Sequence, residues 1–312
     1  MGIILQFYTV NLFSNSNQSA IIAEIFGKEK KMLYVLEHAL IDTLKVLPLL
    51  FAAYLLIEYL EHKASGKLIS ILSKRGAFGP MVGSLIGSVP QCGFSVAAAN
   101  FFSGRVISMG TLVAVFIATS DEALPILISH PEQFVNLWKM LALKIIIAFA
   151  AGMLVDFAYK AKEHHHEEGH IHELCEHEHC DCEHQGVFKS ALHHSLHIII
   201  FILIVNIAMG AAVEFIGEEN IAKIMLKDSC FQPFVTALIG FIPNCSASVI
   251  LTELYIGGSV SFGSLIAGLS TGAGVGIAVL FRTNRHIKEN LTVVSILYCV
   301  SVAAGLIINL IF

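Results

Sequence analysis

Apolar residues run along this chain in long blocks rather than in stripes. Stretches near 39–60, 106–128, 141–159, 192–214, 262–281 and 291–312 each approach the ~20 residues an α-helix needs to cross ~30 Å of hydrocarbon. Six plain membrane spans are therefore expected. Two more apolar stretches, 78–104 and 231–257, are interrupted by SVPQC (88–92) and FIPNC (241–245). The first 31 residues hold an apolar dozen, MGIILQFYTVNL, with no basic residue before it and no small-residue cleavage site. They read as a surface or interfacial lead-in rather than a cleaved signal.

The interrupted stretches are copies of one another. Residues 78–114 laid over 231–267 without a gap agree at 15 of 37 positions, among them Pro80 with Pro233, Pro90 with Pro243, Cys92 with Cys245, Ser95 with Ser248, Gly104 with Gly257 and Ser108 with Ser261. The match weakens near Thr119, where one insertion is needed, and upstream ALIDTLKV (39–46) resembles ALHHSLHI (191–198). The chain thus divides into a lead-in (1–31), a membrane repeat (32–159), a polar linker (160–190) and a second membrane repeat (191–312). Repeats of this kind are common in transporters, with cargo bound where broken helices of the two halves meet.

Proline lacks an amide hydrogen and obstructs the preceding helical turn, so Pro90 and Pro243 are expected to break their helices and free nearby carbonyls. Inside a bilayer such groups survive only within protein or along a wet cavity. In this reading Pro90, Gln91, Cys92 and Ser95, with Pro243, Asn244, Cys245 and Ser248, line a transport path. The plainer alternative is a proline kink packed with small residues.

Charge sets an orientation. Lys63, Lys67, Lys74 and Arg75 follow the first span, and Arg282, Arg285 and Lys288 precede the last, whereas 129–138 has no Lys or Arg and 215–230 sets Lys223 and Lys227 against Glu218, Glu219 and Asp228. By the positive-inside rule the two halves are oppositely oriented. Inversion needs an odd number of crossings per half, so each broken stretch enters and returns as a hairpin or counts as two short spans. The expected fold is all-α and polytopic, two inverted-topology repeats of about five membrane elements each. Both termini then lie outside and the linker in the cytoplasm, although KEKK (28–31) argues against this.

Composition agrees with a bilayer protein: 55% of the 312 residues are hydrophobic, 14% are charged and mean hydropathy is +0.74. The seven cysteines show no spacing of a disulfide scaffold. No Walker motif, dinucleotide fingerprint or basic face with interleaved aromatics is present, so neither ATP use nor nucleic-acid binding is expected. The glycines of GLSTGAGVG (268–276) are read as close helix packing.

The chemistry concentrates in two places. Residues 163–184 hold eight His, three Cys and eight acids with no Lys or Arg, and without those eight charges the net −5 becomes +3. His166, His170, His172, Cys175, His177, His179, Cys180 and Cys182 can ligate Zn, Cu, Ni or Co in overlapping sets; a solvated acidic linker is the alternative. HEEGH (166–170) formally matches a zinc-protease pattern, but Gly169 and the lack of a surrounding apolar helix speak against a metallopeptidase. The second place is ATSDEALPI (118–126), where Ser120, Asp121 and Glu122 stand well along an apolar span. Intramembrane carboxylates are costly and mark ion paths; the alternative is an interfacial cap before Pro125. Asp42 and Lys45 lie near the start of the first span, and their counterparts His194 and His197, with His193, form a possible relay from linker to pore. Lys144, Asp156 and Trp138 are expected as surface anchors of the fourth span.

Together GSVPQCGFS, ATSDEALPI and GFIPNCSAS, joined by a histidine-rich link, resemble the ten-span heavy-metal exporters of the arsenic-efflux and manganese-transporter type over roughly residues 33–312. The resemblance implies an inner-membrane exporter of two repeats whose Pro-carboxamide-Cys motifs and Ser-Asp-Glu element fall on the residues named above. Cys92 and Cys245 would serve as soft ligands and Gln91, Asn244, Asp121 and Glu122 as hard ones, for a divalent transition metal, Mn or an arsenical, with protons driving release. No permanently bound cofactor is expected. A permease for a small organic solute or peptide, with a metal-buffering or metal-sensing linker, remains the other transport reading.

Overall fold

The computed structural model describes residues 36–55, 78–120, 122–160, 187–216 and 229–311. These residues are helical, with no strand among them. In the first half the helices are α1 (Leu36–Leu55), α2 (Phe78–Gly87), α3 (Gly93–Ser103), α4 (Met109–Ala118), α5 (Ala123–Ser129) and α6 (Phe134–Lys160). The second half has α7 (Val187–Ile216), α8 (Gln232–Gly240), α9 (Ser246–Ile256), α10 (Phe262–Thr271), α11 (Val275–Thr283) and α12 (Ile287–Ile311). Among the described residues, six segments are long and apolar enough to cross a membrane.

Packing repeats with the sequence. In the first half α2 and α6 clasp α4, and in the second α8 and α12 clasp α10. Glycines let these backbones approach: Gly110 of α4 lies against Gly152 of α6, and Gly263 of α10 against Gly305 of α12. The halves then exchange their short helices, α3 packing on α11 and α9 on α5, while α4 and α10 meet at the centre. Every residue of α4 is buried, and so is every residue of α10 after Phe262. Large apolar side chains on the long outer helices, such as Leu154, Phe157, Ile204 and Leu310, are exposed. That is the distribution expected of helices that face lipid on one side and protein on the other.

Two of the plain spans are not continuous. The stretch expected at 106–128 stops at Ala118 and restarts at Ala123, with Thr119 extended at ψ 131°. The stretch expected at 262–281 stops at Thr271 and restarts at Val275 through Gly274, at φ +53°, ψ −138°, a conformation open in practice only to glycine. Four residues, TSDE, fill the first break and three, GAG, the second, each too short to interrupt a hydropathy pattern averaged over a whole span.

Lys144 and Asp156 are not surface anchors. Both are buried within the protein, and together they cap the two ends of α4. At its start Ser108 accepts from the Thr111 amide, and Asp156 accepts from the Gly110 amide at 2.9 Å and the Ser108 hydroxyl at 2.7 Å. At its end the Lys144 ammonium donates to the Thr119 carbonyl. A carboxylate at a helix start and an ammonium at its end both oppose the helix dipole. In the second half Ser261 caps α10 in the same way, and Asn309 occupies the place of Asp156, accepting from the Gly263 amide at 3.0 Å. Trp138 is exposed, as expected of an interfacial anchor.

Candidate functional site

The two Pro-carboxamide-Cys motifs have one geometry. Each first helix ends on an i→i+3 bond (Val89 N–H to Ile86 O, Ile242 N–H to Ile239 O). Each proline then sits at the centre of a three-residue turn, Gln91 N–H to Val89 O at 2.7 Å and Asn244 N–H to Ile242 O at 2.7 Å. The next helix starts at the cysteine, φ −61°, ψ −18° at Cys92 and φ −61°, ψ −24° at Cys245. One turn on, the hydroxyls of Ser95 and Ser248 donate to the carbonyls of Cys92 and Cys245, both at 2.7 Å. The carbonyls before each proline are therefore bonded locally, while the thiols stay buried in one continuous apolar cluster that also holds Val96, Ala273 and Val275.

The carboxamides tether each turn to the first helix of its own half. Gln91 Nε2 donates to the Lys45 carbonyl of α1 at 3.0 Å, leaving its oxygen without a partner among the described residues. Asn244 Nδ2 donates to the Asn206 carbonyl of α7 at 3.3 Å, and its oxygen accepts from the Ser246 amide at 3.0 Å. Asn206 in turn donates to Thr43 of α1 at 3.2 Å. A chain of polar contacts thus runs from the second turn through α7 to α1, using two residues that sequence reasoning did not select. A lone asparagine within an apolar run was their signal.

Charged groups gather beside the first turn. Lys45 Nζ lies 3.4 Å from Asp42 Oδ1 and 4.0 Å from Glu122 Oε1. Glu122 stands at the start of α5. Its neighbour Ser120 is buried, its hydroxyl 3.4 Å from the Ala118 carbonyl. Charges inside a membrane protein survive when paired in this way. Beside the second turn a small cavity is lined by Asn244, Cys245, Ser248, Leu269, Gly272 and Gly274.

Not every expected residue joins this region. His193 and His197 are exposed, their rings 4.6 Å apart on successive turns of α7, and the side chain of His194 lies outside the described residues, as do Asp121 and the linker positions His166, His170, His172, Cys175, His177, His179, Cys180 and Cys182. Among the described residues no three His, Cys, Asp or Glu side chains stand together as a ready metal site. GLSTGAGVG serves helix packing, as expected: a Cβ on Gly276 would stand 2.8 Å from the Ser95 Cβ.

A protein-family model described as "Putative, 10TM heavy-metal exporter" matches residues 55–218 and 207–312. No curated protein and no solved structure matches the chain.

Proposed function

We propose, on the premise that this chain belongs to the 10TM heavy-metal exporter family, that this integral membrane protein exports a thiophilic metal or metalloid ion through a site where its two halves meet. The observation that carries the reading is the placement of the two thiols. Cys92 and Cys245 are 153 residues apart in sequence, yet each opens a short helix and both are buried in one cluster. Soft thiolates suit Zn²⁺, Cu⁺, Cd²⁺ or a trivalent arsenical. Gln91 Oε1, Glu122 and Asp121 offer harder oxygen donors close by in space or sequence, and the linker cysteines and histidines collect cargo before it enters. Glu122, held by Lys45 when cargo is absent, exchanges that ion pair for cargo or a proton during the cycle.

Inverted topology has support in the contacts. Gly79 at the start of α2 lies against Ser108 and Thr111, while Gly87 at its end lies against Val115 and Ala118. α2 and α3 therefore read as a re-entrant hairpin whose tip is the Pro90 turn; Gln232, bonded to Ser259 and Ser261, supports the same for α8 and α9. Asp156 near the end of α6 meets Ser108, and Glu289 at the start of α12 meets Arg105 three residues away. The equivalent helices α6 and α12 thus run in opposite directions. Arg105, Arg282, Arg285 and Lys288 fall on one face, which the positive-inside rule assigns to the cytoplasm of an inner-membrane protein, together with the linker that leaves α6 there.

The deciding experiment is uptake into inside-out vesicles across a panel of Zn²⁺, Cd²⁺, Cu⁺, Mn²⁺ and arsenite, with and without a proton gradient. Accumulation of a thiophilic ion, lost in Cys92→Ser and Cys245→Ser, is expected. Undiminished transport by both variants would remove the thiols from the site. The absence of a ready three-ligand group among the described residues favours the second transport reading, a permease for an organic solute; accumulation of no metal at all by a folded protein would select it.

A further inference from the structure

α3 and α11 come from different halves, yet they run side by side in the same direction. Near their starts Gly276 lies against Ser95, where an added Cβ would stand 2.8 Å from the Ser95 Cβ. At their ends the hydroxyls of Ser103 and Thr283 are 2.7 Å apart. From Ser95 to Ser103 the seam is about 12 Å long. Its inner end reaches the thiols: Ser95 donates to the carbonyl of Cys92, and Val275, which opens α11, is buried in the cluster that holds Cys92 and Cys245. Its outer end is half-buried, and there Arg105 reaches Glu289 Oε2 at 2.9 Å while Asn284 donates to the same oxygen at 3.2 Å. The seam therefore leads from the buried thiols to the face that carries Arg105.

The two seams between the halves are closed by different chemistry. In the duplicate seam, α5 on α9, Leu124 and Leu127 are buried in one apolar cluster with Ile250 and Leu251. Because α5 starts at Ala123 and α11 at Val275, Leu124 stands where the second half has Gly276. Parting α5 from α9 would expose those apolar side chains to water, which is unfavourable in proportion to their area. The outer end of the α3–α11 seam is polar and short of protons. Ser103 Oγ lies 2.9 Å from the Ala99 carbonyl and Thr283 Oγ1 2.9 Å from the Val279 carbonyl, besides the contact between the two hydroxyls. Each hydroxyl has a single hydrogen to donate, so three contacts share two protons and one is unmade at any instant. The Arg105–Glu289 pair, 31% exposed on each side, is of the kind that water replaces at little loss. Water substitutes for what holds this seam and not for what holds the other.

We propose that α3 and α11 are the two leaves of a gate. Their outer ends part when the Ser103–Thr283 and Arg105–Glu289 contacts are exchanged for water, and the route from the Arg105 face to Cys92 and Cys245 runs between them. The leucine seam on the other side stays shut meanwhile. That cargo takes this route rests on the export reading, but the gate is read from thiol access without any metal, so the two fail separately.

The test uses the full-length protein in inside-out and right-side-out membrane vesicles, as wild type, Thr283→Val and the double variant Ser103→Cys/Thr283→Cys. Hydroxyls this close place two thiols within reach of a disulfide. Vesicles are treated with diamide or kept reduced, then exposed to a membrane-impermeant maleimide, and the peptides carrying Cys92 and Cys245 are quantified by mass spectrometry. Labelling should be faster in the vesicles that expose the Arg105 face. Oxidation should abolish it in the double variant but not in wild type treated alike, and a reductant should restore it. Thr283→Val, which loses one hydroxyl from the seam, should be labelled about two- to five-fold faster than wild type. Labelling that survives the bridge, labelling faster from the opposite face, an unchanged rate in Thr283→Val, or a folded double variant that forms no bridge would each overturn the gate. Gated labelling without flux of any metal would overturn the export reading alone.

Discussion

Arg105 is the only described residue other than glycine with positive φ, +59°, and the duplicated position is Gly258, φ +71°. An L-residue in this region is disfavoured by about 1 kcal/mol or slightly more. The arginine is retained by what its side chain reaches across the boundary between the halves: Glu289 Oε2 at 2.9 Å, each partner 31% exposed. At that exposure the pair contributes about 0.5 kcal/mol. Arg105→Ala keeps the strained backbone and loses the pair, so it should destabilise the protein by roughly 0.5–1 kcal/mol. Arg105→Gly also loses the pair but relieves the strain, while adding about 0.7 kcal/mol of chain entropy to the unfolded state; its net change should lie within about 0.5 kcal/mol of zero. The order of unfolding midpoints in detergent is therefore wild type and glycine together, alanine below. Both variants also remove a tie that closes this face, and a tie of about 0.5 kcal/mol shifts a closed-to-open ratio about two-fold. Alkylation of Cys92 and Cys245 by a membrane-impermeant maleimide from the Arg105 face should accelerate to that extent in both. Equal midpoints for alanine and glycine would refute the strain argument, and unchanged alkylation would refute the tie.

Other outcomes follow from single contacts. Asp156→Asn should cost about 1 kcal/mol or less because Asn309 performs the same cap, whereas Asp156→Ala strands the Gly110 amide and should cost about 2–3 kcal/mol, both read by unfolding. Gly276→Ala drives a methyl against Ser95 and should cost roughly 1–3 kcal/mol, with Ser95→Gly restoring much of the loss in the double variant. Deletion of 163–184 should abolish high-affinity metal binding by the resting protein, measured by equilibrium dialysis, while leaving flux at saturating metal within a few-fold of wild type; complete loss of flux would make the linker part of the path.

The duplicated framework was legible because duplication leaves matching letters at positions that geometry constrains. Ser108 and Ser261 cap equivalent helices with ψ of 161° and 159°, and Cys92 and Cys245 open theirs alike. The second pair of breaks was hidden because TSDE (119–122) is too short to divide the apolar span around it, and because Gly272, Ala273 and the positive-φ Gly274 read like the other small residues of a packed span. The roles of Lys144 and Asp156 were hidden for another reason. Both stand inside or at the edge of a long apolar run, where position along the chain suggests an interface. Their partners, Thr119, Leu269, Ser108 and Gly110, lie from 25 to 125 residues away. The same distance concealed the pairing of Lys45 with Glu122.

The unequal centre ties the protein to a single chain. Two separate half-length copies inserted in opposite senses, each with lysine at position 144, would bring two ammonium groups to the ends of the same pair of helices, and like charges in so dry a place repel strongly. One continuous chain, with lysine at 144 and leucine at 297, avoids that repulsion.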